Sequence, residues 1–199
     1  MTIENAIYMS FKNDVAFLLD CFINLYEHQS TYNPNMAIRG YLYFAQLFEK
    51  FITSRNLNIY SSTLQKLPTP KYLVFYNGTK EEPEETFFRL SDAFLQKGGC
   101  LECEVTMLNI NYGKNKKLME KCKKLEEYAI FISKVRTFLM EGKPLENAIN
   151  QAIDESIAQN VLRDILIEQR AEVLGVLLST FNKELYEKCL PVQYLCLDK

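Results

Sequence analysis

Histidine is nearly absent from this chain: His28 is the one histidine in 199 residues. A Ser/His/Asp nucleophile is therefore unsupported, because that chemistry needs an imidazole placed beside the nucleophile. Charge of one sign is lacking too. Lys and Arg number 23 against 25 Asp and Glu, a net charge of −2, so bulk electrostatics argue neither for nor against nucleic acid, and any polyanion site must be local. The N-terminus, MTIENAIYMSF, has no basic lead followed by an apolar run, and no apolar stretch reaches the length of a membrane span. A soluble, cytoplasmic protein that does not engage a membrane is the expectation. The cysteines at 21, 100, 103, 122, 189 and 196 lack the density of a secreted disulfide scaffold and read as reduced thiols. Cys100-x-x-Cys103 has neither the second pair nor the nearby histidine that structural zinc asks for. Gly98-Gly99 is not followed by Gly-Lys-Ser/Thr, so a phosphate-cradling loop is missing as well. There is no internal repeat or low-complexity tract.

Apolar residues make up 48% of the chain, enough for one sizeable core with an appendage. Short β-branched and aromatic runs at Ala6 to Ser10, Val15 to Leu19 and Phe22 to Tyr26 predict antiparallel strands. After a turn-rich link at Ser30 to Asn35, Ile38, Tyr41, Leu42, Ala45, Phe48 and Ile52 recur at helical spacing and predict the sheet-facing stripe of an amphipathic helix. Tyr72 to Tyr76, after Leu67-Pro68-Thr69-Pro70 and before Asn77-Gly78, reads as a strand buried on both faces. Strand, helix, strand implies a parallel crossover. Thr79 to Glu85 reads as acidic loop and Leu101 to Ile110 as one more strand. Beyond Tyr112-Gly113 the composition turns helical, with breaks at Gly142-Lys143-Pro144 and near Asn160. The division is a core over 1–112 and a helical region over 113–199, with residues 190–199 loosely attached. Two apolar stripes, Leu145 to Ile157 and Val173 to Phe181, leave two uses open: packing within the chain, or pairing with a second copy as a homodimer.

The first two strong runs are separated only by Asp20-Cys21. If those two residues are the turn, Leu19 faces Phe22, and counting along the ladder sets Asp14 opposite Glu27. Like charges facing each other across a strand pair destabilise a sheet, so two acids there point to a neutralising cation. The period of two puts Gln29 on the Glu27 face and turns His28 away. Carboxylate and carbonyl oxygens are the ligands of Mg²⁺ or Mn²⁺, with Asp14 and Glu27 as side-chain ligands and His28 through its backbone carbonyl. Such an ion beside a phosphate supports phosphodiester hydrolysis. The bland alternative has Asp14 ending a turn and Glu27 on an exposed strand end.

Gln29 stands where a lysine is usual in such sites; it lacks charge but donates a hydrogen bond to water or phosphate. Arg39, in the first turn of the helix, is placed to reach back toward the acids as a phosphate clamp, with a solvated helix-start arginine as the alternative. Lys114, Lys117, Lys121 and Lys124 share about a quarter of a helical circumference. That ridge could track a nucleic-acid backbone without reading sequence, or be a solvated face. The paired Phe87-Phe88, like Tyr41, Tyr43 and Phe44, read as core rather than base-stacking platforms.

These residues resemble the PD-(D/E)XK nuclease superfamily, and within it the recombination-promoting nuclease and transposase family. The likeness rests on Asn13-Asp14-Val15 with Glu27-x-Gln29, on QSTYNPNMAIRGYLYFAQLFEK and LPTPKYLVFYNG, and on extended segments of the helical region. It runs through nearly the whole chain. The resemblance implies a restriction-endonuclease-like α/β core, a mixed sheet flanked by helices, with a helical C-terminal tail. It also implies Mg²⁺-dependent DNA cleavage, with Asp14 and Glu27 as ligands and Gln29 at the lysine position. Family members carry a helical segment before the first strand, so the chain reads as an N-terminally shortened copy. A catalytically inactive remnant that binds DNA or a protein partner is the alternative.

Overall fold

A computed structural model describes residues 9–11, 14–19 and 21–189, with side chains at 16 and 21–182. Parts of the expected first strand and the expected loose end at 190–199 lie outside the described residues. Two compact units, Met1–Asn109 and Ile110–Lys199, divide the chain.

The first unit holds β1 (Met9–Phe11), β2 (Asp14–Leu19), β3 (Phe22–Gln29), α1 (Met36–Ser54), β4 (Thr69–Tyr76), β5 (Glu85–Arg89), a 3-10 turn at Leu90–Ala93, and β6 (Glu104–Asn109). These strands form one mixed sheet in the order β1-β2-β3-β4-β6-β5. The β2–β3 hairpin has Leu19 opposite Phe22 and Asp14 opposite Glu27, the register the two-residue turn dictates. From β3 the chain crosses through α1 to β4, which lies parallel to β3, with Leu25 beside Tyr72 and Glu27 beside Val74.

One face of this sheet carries the core. Ile23, Leu25, Tyr72, Val74, Tyr76, Val105 and Met107 cluster with Met36, Ala37, Phe44 and Leu47 of α1. The helix therefore faces the sheet mainly through residues other than the predicted stripe: Phe48 packs against the core, but Ile38, Tyr41 and Leu42 are exposed, Leu42 by 53%. Close approach decides this. A Cβ on Gly40 would collide with the Tyr72 ring, so the face that carries Gly40, with Met36, Ala37, Phe44 and Leu47, lies on the sheet. The strand β4 alternates between buried and half-buried positions, a correction to the expectation of burial on both faces. The acidic loop stands over residues 79–84 and leads into β5, a strand where the sequence reading assigned no element beyond Glu85. Its alternation splits the aromatic pair, with Phe88 buried and Phe87 64% exposed.

The second unit is helical: α2 (Lys116–Lys121), α3 (Lys123–Met140), α4 (Leu145–Ala158), α5 (Arg163–Glu168) and α6 (Arg170–Cys189). Gly142, at φ 84°, closes α3. Its N–H bonds Leu139 O and that of Lys143 bonds Phe138 O, a paired satisfaction of the last carbonyls that requires a left-handed residue. Ala148, Ile149, Ala152 and Ile153 of α4 pack with Leu177 and Phe181 of α6 and Phe131, Ile132 and Val135 of α3. Both apolar stripes thus serve this unit's own core. Among the described residues no helix is long and apolar enough to cross a membrane.

Candidate active site on the third strand

The parity of β3 buries Ile23, Leu25 and Glu27 and leaves His28 exposed. Glu27 is thus a carboxylate in the core, 1% exposed, and such a charge is tolerated only when paired and hydrogen-bonded. Three side chains meet that requirement. Gln29 Nε2 donates to Oε1 from two residues along the same strand. The Tyr72 hydroxyl donates to Oε2 from the neighbouring parallel strand. The Arg39 guanidinium pairs with Oε1 from the first turn of α1, and its Nη2 also donates to the Tyr43 hydroxyl at 3.2 Å. Burial pulls the Arg39 guanidinium downward, but the Tyr43 hydrogen bond and the charge of Glu27 outweigh it and hold the group above its ordinary value. It stays charged.

Local backbone bonds hold this end of the sheet together. Asn77 N donates to Gln29 O at 3.0 Å, and Asn109 N to Glu84 O at 2.9 Å. The Asn109 amide adds a 2.7 Å bond to Glu82 O. The link between β4 and β5 is thereby tied to the ends of β3 and β6, and Lys80 spans Glu82 at 2.7 Å and the Tyr32 ring at 4.2 Å. Gly78 sits in this link because a Cβ there would collide with the Ser30 carbonyl and the Tyr76 ring.

Of the residues singled out from sequence, Glu27, Gln29 and Arg39 converge, and Asp14 stands across the ladder from Glu27 by backbone register. The Asp14 side chain lies outside the described residues. His28 is turned to the other face and is exposed. The lysines do not lie on one helix as their spacing requires. Lys114 precedes α2 and its left-handed cap Asn115, Lys117 and Lys121 lie on α2, and the helix breaks at Cys122 before Lys124. Lys124 is paired with Glu127 at 3.1 Å. No proline or glycine at 117–127 announces that break. Arg39, read as either a phosphate clamp or a solvated helix-start arginine, is paired with Glu27.

Tyr72 and Tyr43 are the site members that sequence reasoning missed. Tyr43 follows Arg39 by one helical turn, a spacing that places the two on one face. Tyr72 shares the buried face of β4 with Val74 and Tyr76, and only the β3–β4 register brings it to Glu27.

A hard cation at this point would draw on oxygen donors: the Glu27 carboxylate, the Gln29 amide oxygen and the His28 carbonyl. Among the described residues no three His, Cys, Asp or Glu side chains cluster as a ready metal cage. The position beside Glu27 Oε1 does take a positive charge, supplied in this structure by Arg39. Among the described side chains Glu27 is the carboxylate such an ion would take, and the rest of its shell would have to come from Asp14, water and phosphate. Compared with models of protein families, with curated proteins and with solved structures, the chain matches none.

Proposed function

We propose that this protein is a metal-dependent DNA endonuclease of the recombination-promoting, transposase-like type, acting in the cytoplasm on phosphodiester bonds. Its sheet and helices would then be a restriction-endonuclease-like core, with residues 113–199 as an accessory helical region. The observation that carries the reading is a buried glutamate, compensated by a cation and an amide, in direct ladder register with an aspartate.

Asp14 and Glu27 hold Mg²⁺ or Mn²⁺, with the His28 carbonyl as a further oxygen. When bound, such an ion supplies Lewis-acid neutralisation of charge on the phosphate oxygens. The chain's own residues do the rest. Tyr72 fixes one oxygen of Glu27, which leaves the other as the coordinating edge. Gln29 presents an amide that orients water without adding charge. Arg39 stabilises negative charge on the substrate.

The test is nicking of supercoiled plasmid with and without Mg²⁺. Activity that needs the ion and disappears in both Asp14→Ala and Glu27→Ala supports the reading, whereas activity surviving both changes defeats it. A second reading, an inactive remnant that binds DNA or a protein partner, is favoured by one observation: Arg39 is paired with Glu27. Salt-sensitive DNA binding with no cleavage under any divalent ion would select it.

A further inference from the structure

Arg39 is asked to serve two partners in the reading above, the substrate phosphate and Glu27. It cannot hold both in one position. Every oxygen of Glu27 is engaged: Oε1 by Gln29 and Arg39, Oε2 by Tyr72. A divalent ion arriving at Oε1 meets the guanidinium there, and two cations on one carboxylate oxygen repel each other strongly in a site screened from water. The two ends of this ion pair differ in one respect. The Glu27 side chain is fully buried, while that of Arg39 keeps 32% of its surface. Glu27 cannot leave, and Arg39 can swing outward. Tyr43, one turn along α1, accepts from the same Nη2 and lies 5.8 Å from the guanidinium to its ring centroid, so it acts as the catch on the inward position.

We infer that Arg39 is an internal counter-ion that competes with the divalent cation for Glu27, and that a DNA phosphate opens the site by drawing the guanidinium away. Metal binding and DNA binding are then positively coupled, each tightening the other by the same factor. Without DNA the guanidinium keeps the buried carboxylate compensated and the site closed to metal. This deepens the metal-site assignment and rests on it.

Mn²⁺ binding to the full chain, followed by the paramagnetic resonance of the free ion, separates the two ideas. Arg39→Met removes the competitor, so Mn²⁺ should bind about ten-fold more tightly than to the parent, as expected when a competing closed state no longer takes most of the population. A short duplex with phosphorothioate linkages should tighten Mn²⁺ binding to the parent and leave Arg39→Met unchanged. Tyr43→Phe keeps the charge and removes the catch, and a smaller gain is expected there; it also serves if Arg39→Met does not fold. The inference is overturned if neither variant binds Mn²⁺ more tightly than the parent while Glu27→Gln abolishes binding, an outcome that leaves the metal site standing. Binding that is absent throughout, or indifferent to Glu27→Gln, overturns the inference and the metal site together.

Discussion

Replacing Gly40 by alanine adds one methyl group to the helix face that lies on Tyr72. A Cβ at this position would stand 2.5 Å from both Cδ1 and Cε1 of the Tyr72 ring and 3.3 Å from Cys103 Sγ. On an open helix surface the change would stabilise by about 1 kcal/mol, through helix propensity. Here the ring cannot step aside cheaply. Tyr72 is 5% exposed, its hydroxyl is bonded to Glu27, and its ring meets Phe44 edge to face at 87°. Overpacking of this kind costs about 1–3 kcal/mol, and a ring displaced enough to lose the charge-assisted bond to Glu27 adds about 1.5–3 kcal/mol. Overpacking and bond loss outweigh propensity, so Gly40→Ala should destabilise by about 1.5–5 kcal/mol. Urea unfolding with an unchanged denaturant slope measures it. The same substitution in a Tyr72→Ala background should be neutral or stabilising, because the obstruction is gone. A Gly40→Ala variant as stable as the parent would refute the close packing that sets α1 on the sheet.

Gly78→Ala should destabilise by about 3 kcal/mol, the upper end of overpacking, since the obstructing Ser30 carbonyl is backbone and has no rotamer to change; the urea midpoint measures it, and an unchanged midpoint would contradict it. Tyr72→Phe removes the donor to Glu27 Oε2 and should cost about 1–3 kcal/mol, read in the same denaturation assay. In the second unit, Glu127 accepts from the N–H of Leu162 at 2.9 Å and pairs with Lys124. First the Leu162 N–H and then Lys124 hold its carboxyl below the ordinary glutamate range. A depressed folded value means the contribution is complete above the unfolded glutamate range and is lost as pH falls through the native value. Glu127→Gln should therefore lower stability at neutral pH and flatten its decline toward acid, and equal acid slopes for the variant and parent would contradict this. Plasmid nicking should require Mg²⁺ and vanish in Asp14→Ala and in Glu27→Ala.

What could be read in the sequence was whatever a local geometry forces. Asp20-Cys21 leaves one register for the hairpin, and with it Asp14 across from Glu27, Gln29 beside it and His28 turned away. The helix between β3 and β4 forces the parallel crossover. In the helical unit, the stripe from Leu145 to Ile157 marks a buried face because its large apolar residues have no competitor on the opposite side. The face of α1 was illegible for the reverse reason: both sides carry apolar residues, and the choice was made by a glycine fitting a tyrosine ring. Tyr72 reaches Glu27 only through the parallel register between two strands more than forty residues apart. The partner of Arg39 is likewise tertiary. Spacing placed the arginine near the acid but could not say whether a phosphate or the carboxylate would hold it. The lysine series failed where Cys122 interrupts a helix that the composition had made look continuous.

The most direct test of the account is the anomalous diffraction of crystals soaked in Mn²⁺ together with a short DNA duplex. The account predicts one peak between the carboxylates of Asp14 and Glu27, with the Arg39 guanidinium moved from Glu27 to a phosphate. No peak at Glu27, with Asp14 turned away and Arg39 still paired to the glutamate while DNA is bound, would contradict it.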